Sequence, residues 1–258
     1  MIGTSIKVEA LYAGYNGLDV IKNIALEASG GEFLCIAGPN GSGKSTLLRA
    51  VARLIPCRGR VTVEGRDTGT MKRGELAKKI AILGQASQFY FPYTVYETVA
   101  LGRYAYGKGF LPGLEKKDRG IIDAVLRRLE LDSLAGLPIT GLSGGQLQRV
   151  FLARTLVQNP AIILLDEPTN HLDLKYQVEL LRYLGNWADD EGGIVIAVLH
   201  DLNLARCFSR RMILLDGGEL KTGGNVKDVL ESAALEAAYG MNIPVFMREA
   251  LKRWESSS

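Results

Sequence analysis

A short apolar run followed by a glycine-rich loop constrains the fold of this chain more than any other feature. Phe33–Ala37 are apolar over the length of a buried strand, Gly38–Thr46 follow as G-x-x-x-x-G-K-[ST], and a helical pattern covers Ser45–Leu54. In such a unit the backbone N–H groups of the loop converge on phosphates, and the helix N-terminus adds a favourable dipole. The sequence therefore predicts a nucleoside triphosphate site.

Within this loop, Lys44 is expected to reach the β- and γ-phosphates and the Ser45 hydroxyl to bind Mg²⁺. The residues expected to hold the nucleotide are Gly38, Pro39, Asn40, Gly41, Ser42, Gly43, Lys44, Ser45 and Thr46.

Two more apolar runs resemble strands that are buried on both faces, as in a parallel sheet. They cover Ala161–Leu165 and Ile194–Leu199, and helical patterns follow them over Lys175–Asp189 and Leu202–Phe208. Strands that alternate with helices predict an α/β fold with a mostly parallel sheet.

Other segments predict antiparallel pairing. Ile6–Leu11 alternates apolar and polar residues, and Val20–Ala28 and Val61–Glu64 are further strand candidates, which suggests an N-terminal antiparallel β subdomain. Met212–Leu215 and Glu219–Thr222, joined by a turn of Asp and two Gly residues, predict a hairpin near the end of the core.

The stretch from residue 87 to 160 is aromatic at first and then mostly helical, with patterns over Lys117–Glu130 and Gln146–Gln158. We interpret it as a helical subdomain inserted into an α/β core of residues 1–86 and 161–224. Residues 225–258 form a helical tail to which the sequence assigns no chemistry.

Composition excludes several classes of protein. Hydrophobic residues make up 47% and charged residues 23%, as in globular proteins, and a net charge of +3 gives no sign of a nucleic-acid partner. The cysteines Cys35, Cys57 and Cys207 are far apart, which disfavours a zinc site or a disulfide framework. We see no signal peptide and no apolar run of the ~20 residues that a membrane span needs. If the protein works at a membrane, another chain must do the spanning.

The run Ile162–Glu167 ends in two carboxylates, where the strand would meet the ligand crevice of an open sheet. Asp166 suits an outer hold on Mg²⁺, and Glu167 could polarise an attacking water. Acids at a strand end beside a turn can also be structural, but next to a phosphate loop they indicate nucleotide hydrolysis.

A second candidate anion site begins at Leu142. Ser143 and Gln146 have the spacing of a capping box, so helix initiation alone could explain them. Capping does not require Gly144 and Gly145, which lower helix propensity and would leave a helix N-terminus open to an anion. The residues alone leave both readings open.

Taken together, these segments resemble the motifs of ABC transporter nucleotide-binding subunits, from about Ile6 to Gly224. The matching segments are Gly38–Thr46, Gln85, Leu142–Gln146, Ile162–Glu167, Asn170–Asp173 and His200. The resemblance implies a head-to-tail homodimer that encloses two ATP molecules. Each ATP would lie between the Lys44 loop of one chain and Ser143, Gly144, Gly145 and Gln146 of the other.

The resemblance also implies roles for single residues. Tyr15 would stack on adenine, although a tyrosine at a strand end can be structural. Gln85 would touch Mg²⁺ and the water, Asp173 would cross the dimer interface, and His200 would contact the γ-phosphate. His171 has no chemical role in the family, and Asn170 stands where the family more often has serine.

Two details resemble importers of iron–siderophore, haem or cobalamin: Phe91–Val99 with Leu101–Tyr104, and Pro168–Asp173 with Leu199–Asn203. An aromatic groove after Gln85 would suit a helix of a membrane partner, whereas the alternative is that these rings fill a small helical core.

The function that follows is an ATPase subunit, peripheral on the cytoplasmic face of the inner membrane. It would power import of a metal chelate through a separate permease, which a substrate-binding delivery protein supplies. The rival interpretation is a soluble ABC-type ATPase that acts in assembly or another non-transport process. A phosphate-loop kinase is disfavoured because it would need neither Leu142–Gln146 nor the acidic pair. The cargo cannot be read from this chain.

Overall fold

Strands and helices both occur along the chain in a computed structural model that describes residues 3–84, 93–107, 113–170 and 172–255. The strands are β1 (Ser5–Tyr15), β2 (Leu18–Ser29), β3 (Glu32–Ala37), β4 (Cys57–Val63), β5 (Arg66–Asp67), β6 (Ile80–Leu83), β7 (Ile162–Asp166), β8 (Ile194–Val198), β9 (Arg211–Asp216) and β10 (Glu219–Asn225). The α-helices are α1 (Lys44–Val51), α2 (Arg73–Ala77), α3 (Val95–Ala100), α4 (Lys116–Arg128), α5 (Gly144–Val157), α6 (Leu174–Glu191), α7 (Leu202–Phe208), α8 (Val226–Leu230), α9 (Ala233–Tyr239) and α10 (Ile243–Glu255).

The main sheet has six strands in the order β10-β9-β3-β8-β7-β6. All neighbours pair in parallel except β9 and β10, which form the antiparallel hairpin expected from the sequence. The α/β fold class with a mostly parallel sheet is confirmed.

A second, smaller sheet is antiparallel and follows the order β2-β1-β4-β5. This confirms the N-terminal antiparallel element. β1 is longer than the predicted Ile6–Leu11, because the alternation of buried and exposed residues continues past Leu11. Its pairing with β2 has three register shifts, and Ala10, with a φ of 46°, lies in the first of them.

The apolar runs are continuous because both faces of the main sheet are covered. In β3, Leu34 and Ile36 pack into a core with β1, β2 and α1, whereas Phe33, Cys35 and Ala37 pack into a second core with α6 and the inserted helices. Apolar residues therefore cover both faces of the strand, as is usual in parallel sheets.

Helix ends differ from the predictions by a few residues for local reasons. α1 ends at Val51, before the predicted Leu54, since Arg53 takes a φ of 56°, outside helical geometry. α6 runs on to Glu191 and stops at Gly192, whose φ of 65° supplies the left-handed cap.

Helices α3–α5 and the tail helices share the second core with the main sheet. The division into 1–86 with 161–224, 87–160 and 225–258 therefore stays a prediction. Within the described residues, none of the helices is both long and apolar enough to cross a bilayer.

Candidate active site

The strand order brings several candidate residues together at the carboxyl ends of the inner strands of the main sheet. β8 lies between β3 and β7, and Val198 pairs with Ile36 on one side and with Asp166 on the other. The loop after β3, the acids at the end of β7 and His200 after β8 therefore meet at the carboxyl ends of these strands, where open α/β sheets bind ligands.

The loop after β3 needs glycine at its first position. Gly38 has a φ of 148°, and a Cβ there would lie 2.0 Å from the Leu215 carbonyl oxygen. Gly43, with a φ of 100°, precedes α1 in a left-handed conformation in which a Cβ would approach Ile21 to 2.7 Å. The loop is therefore held close against its neighbours by backbone that other residues could not supply.

Lys44 is folded back into this loop. Its Nζ donates hydrogen bonds to the carbonyl oxygens of Gly38 at 2.8 Å and Pro39 at 2.7 Å. Burial lowers the pKa of Lys44, and the carboxylates of Glu167 and Asp166 oppose that shift. The ammonium is thus held inside the loop by neutral carbonyls, with two anions close by.

The loop also contains a polar atom without a partner. Ser42 is 3% exposed, and its Oγ lacks a hydrogen bond within the described part of the chain. A buried hydroxyl without a partner is costly, and a bound phosphate oxygen would satisfy it.

Ser45 and Asp166 join α1 to the end of β7. The Ser45 hydroxyl donates to Asp166 Oδ1 at 2.7 Å, which places a hydroxyl and a carboxylate side by side. Mg²⁺ prefers oxygen ligands and usually takes one or two protein groups plus phosphates and water. These two residues fit that donor set.

Glu167 is held both by its backbone conformation and by its side-chain hydrogen bonds. It has a φ of 54°, uncommon for a residue with a side chain, and its carboxylate accepts hydrogen bonds from His200 Nε2 at 2.6 Å and Asn170 Nδ2 at 2.6 Å. Burial raises the pKa of Glu167, but His200, Asn170 and Lys44 together outweigh it and lower the pKa below the ordinary 4.5. The carboxylate is therefore ionised and directed at neutral pH.

Asn170 contacts Glu167 directly, a role that the sequence did not predict for it. Its backbone N–H donates to the Glu167 carbonyl at 3.3 Å, so a turn brings the amide back onto the carboxylate three residues earlier. The spacing after Glu167, across Pro168 and Thr169, was the available signal.

Asp201 serves a structural purpose beside His200. Its Oδ1 accepts hydrogen bonds from the backbone N–H groups of Asn203 and Leu204 and so caps α7. The cap fixes the direction of the chain as it leaves β8, and His200 remains partly exposed next to Glu167.

The segment before α5 forms the predicted capping box. Ser143 Oγ accepts from the Gln146 N–H at 3.3 Å, and Gln146 Oε1 accepts from the Ser143 N–H at 2.9 Å. Glycine is needed at Gly145 for packing, because a Cβ there would lie 2.8 Å from the Tyr176 ring. A Cβ on Gly144 would meet open space. The anion-site role of this segment stays a prediction.

The remaining predicted residues differ in exposure. Tyr15 is 42% exposed at the end of β1, and its hydroxyl accepts from Arg49 of α1 at 3.4 Å. Asp173 is exposed at the start of α6. Asn40 and Gly41 are exposed, Thr46 is buried, and Gln85 and His171 lie outside the described residues.

Comparison with known proteins shows the family of this chain. The family model described as ABC transporter matches residues 21–170, which is more than half of the chain. The hemin import ATP-binding protein HmuV of Rhizobium meliloti (strain 1021) is 38% identical over 243 residues, covering 91% of this chain and 90% of that protein. This chain belongs to the ABC transporter family.

Solved structures of ABC proteins have the same fold. A metal-chelate type ABC transporter in an inward-facing conformation superposes with a TM-score of 0.80 at 27% identity, covering 92% of this chain and 89% of that one. A dimeric ATP-binding cassette in a post-hydrolysis state, bound to ADP and phosphate, has a TM-score of 0.71 at 33% identity and covers 86% of this chain and 98% of that one. ABC family membership makes this chain an ATP-binding, ATP-hydrolysing subunit.

Proposed function

We propose that this chain is the ATPase subunit of an importer for a metal chelate and that it acts through a separate membrane permease. The observation that carries the ATPase part is the Glu167 carboxylate, which His200 and Asn170 hold beside the Ser45–Asp166 pair. The transport part is supported by the hemin import relative and by the metal-chelate type transporter structure.

The residues at the site suit hydrolysis of the γ-phosphate. Glu167 is ionised and acts as the base that orients and deprotonates the attacking water. Lys44 exchanges the Gly38 and Pro39 carbonyls for phosphate oxygens, and His200 donates to the γ-phosphate as charge develops. Ser45 and Asp166 would hold Mg²⁺, with Gln85 as the further ligand that the resemblance implies. When bound, the ion neutralises charge on the β- and γ-phosphates.

The active unit that we propose is a head-to-tail homodimer. Ser143–Gln146 lies at the start of α5 and the Lys44 loop precedes α1, and a second copy would bring the turn of one chain to the loop of the other. In that dimer Asp173 lies at the interface and Tyr15 stacks on adenine. The solved dimeric cassette with ADP and phosphate supports this assembly.

The surface that we propose for the permease follows Gln85. Tyr93, Leu101 and Tyr104 are 45%, 50% and 69% exposed, respectively. Other aromatics of this stretch are used internally, since Tyr106 donates to the Gln158 carbonyl at 3.0 Å and Tyr96 packs on the core. Tyr96 and Tyr106 therefore follow the core interpretation, and the exposed residues are the ones that we propose for docking. Exposed apolar side chains are suited to contact the apolar face of a docking helix.

The test is co-purification of the tagged full chain from membranes and from cytosol. We expect a multi-span apolar protein to accompany the chain in the membrane fraction, at the cytoplasmic face. The double variant Leu101→Ala/Tyr104→Ala should lose this partner and keep its ATPase activity. Leu54→Ala, an exposed leucine at the end of the loop–α1 unit, is the matched control and should keep the partner.

Recovery of only soluble partners would overturn transport and favour an assembly ATPase, while leaving the ATP site intact. If a permease is captured, the reconstituted complex is assayed with haem, a ferric siderophore and cobalamin. The chelate that stimulates ATP hydrolysis with its delivery protein identifies the cargo.

A further inference from the structure

The tail after β10 is anchored in the main body of the protein. Leu235 of α9 is 1% exposed and Ile243 at the start of α10 is 6% exposed, and both belong to the core that also contains Cys35 of β3 and Leu199 beyond β8. The tail therefore packs under the strands that carry the phosphate loop and His200.

Tyr239, the last residue of α9, reaches the first residue of the phosphate loop. The Gly38 N–H donates to the Tyr239 hydroxyl at 3.2 Å across a sequence separation of 201 residues. Gly240 then turns the chain with a φ of 67°, so Tyr239 stands at a sharply defined helix end. Burial raises the pKa of Tyr239, which keeps its hydroxyl neutral at physiological pH.

Gly38 is thereby held on three sides. Its N–H bonds to Tyr239, its carbonyl accepts from Lys44 Nζ at 2.8 Å, and its α-carbon lies so close to the Leu215 carbonyl that a Cβ would come within 2.0 Å of that oxygen. Tyr239 thus bonds the backbone N–H of Gly38, and Lys44 bonds its carbonyl oxygen.

The tail also contacts the element that follows His200. Asn203 in the first turn of α7 donates to Met247 Sδ of α10 at 3.5 Å. Under the strands, a backbone hydrogen bond joins Leu199 to the buried side chain of Cys35, and Tyr239 lies near the same cysteine. The tail helices therefore contact residues at the base of the phosphate loop and next to the segment that carries His200.

We propose that Tyr239 is a positioning residue for ATP binding: its hydroxyl fixes the Gly38 peptide and, through the Gly38 carbonyl, the place of Lys44. The inference rests on the ATP site described above and adds the tail to it. A loop whose base is fixed before the nucleotide arrives binds with a smaller ordering cost.

The test compares Tyr239→Phe with Tyr183→Phe in the full chain. Both variants remove one buried phenolic hydroxyl, but that of Tyr183 has no hydrogen-bond partner within the described part of the chain. Two quantities are measured: the exchange rate of the Gly38 amide proton by NMR and the Kd for ATP with Mg²⁺. For Tyr239→Phe we expect faster Gly38 exchange and a Kd raised about three- to tenfold, the range expected for one hydrogen bond. Tyr183→Phe should change neither.

A double-mutant cycle separates positioning from general loosening. Since Tyr239 is proposed to act through Lys44, Tyr239→Phe should have no further effect on the Kd in a Lys44→Ala background. An additive effect would mean that the substitution only loosens the fold and would overturn the proposal.

Unchanged Gly38 exchange in Tyr239→Phe would overturn the proposed hydrogen bond, and an unchanged Kd would overturn its role in binding. Neither result bears on the transport proposal, which is tested by permease capture. Conversely, failure to capture a permease would not change the interpretation of the Gly38 exchange rate or of the Kd for ATP.

Discussion

At the residue scale, Glu167 combines a left-handed backbone conformation with an ionised carboxylate. A φ of 54° costs free energy in a non-glycine residue, and it is maintained because His200 and Asn170 both bond the carboxylate. Such strain is typical of sites where one side chain must point in one direction.

Glu167→Gln should abolish turnover while ATP still binds. The amide keeps the shape of the carboxylate but cannot accept the proton of the attacking water, so we expect kcat to fall by roughly 10²- to 10⁴-fold with little change in ATP affinity. Steady-state ATPase assays and ATP binding measurements check this. Glu9→Gln, an exposed residue of β1, is the control and should be active. Near-normal hydrolysis by Glu167→Gln would contradict the assignment of the base.

The lowered pKa of Glu167 also predicts a pH dependence of stability. A carboxyl whose pKa is depressed in the folded state stabilises that state above its unfolded pKa, and the contribution is lost as pH falls through the folded pKa. The difference in free energy of unfolding between the wild type and Glu167→Gln should therefore be greatest near pH 7 and shrink once pH drops below the ordinary value of 4.5. Denaturant titrations across this range measure it. A difference that grows towards low pH would have the wrong sign.

At the scale of elements, the start of α5 combines two separate requirements. Ser143 and Gln146 satisfy the first free N–H groups of the helix, and Gly145 lets the first turn pack against Tyr176 of α6. The position of this segment therefore depends on its neighbour as well as on its own cap.

The two glycines of this turn should respond differently to alanine. Gly145→Ala places a methyl group against the Tyr176 ring and should lower the free energy of unfolding by about 1–3 kcal/mol. Gly144→Ala meets open space and should leave stability unchanged or raise it by up to ~1 kcal/mol, since alanine favours the helix. Denaturant unfolding of both variants gives the comparison, and Tyr176→Leu should restore part of the loss in Gly145→Ala. Equal effects of the two substitutions would contradict the packing argument.

At the scale of the whole molecule, one chain carries two candidate anion sites on different parts of the fold. The loop before α1 lies at the carboxyl end of β3 in the main sheet, whereas the turn before α5 belongs to the inserted helices. In a head-to-tail pair of identical chains, the loop of each chain would meet the turn of the other, so that both candidate sites would be used.

Complementation between two inactive variants tests this assembly. Lys44→Ala should impair the phosphate loop, and Ser143→Arg should block the exposed turn before α5, so each variant alone should lack ATPase activity. When the two are mixed, each mixed dimer contains one intact site, built from the unaltered loop of one chain and the unaltered turn of the other. We expect part of the activity to return, measured as ATPase rate against the mixing ratio. Mixtures without activity would argue against the head-to-tail dimer.

Local sequence was enough to predict the elements that depend on near neighbours. The phosphate loop, the acids that end β7 and the capping box before α5 each lie within a short stretch, and the apolar runs identified the buried strands. Such features follow from backbone freedom, helix capping and hydrophobic periodicity, which act over a few residues.

Three other contacts could be identified only from the tertiary structure. His200 meets Glu167 because β8 pairs beside β7, Gly145 is required because Tyr176 packs over it, and Tyr239 bonds Gly38 because the tail returns beneath β3. No local pattern encodes which strands become neighbours or where a distant helix packs. Those choices arise from burying apolar surface over the entire molecule, and they set which side chains meet at the site.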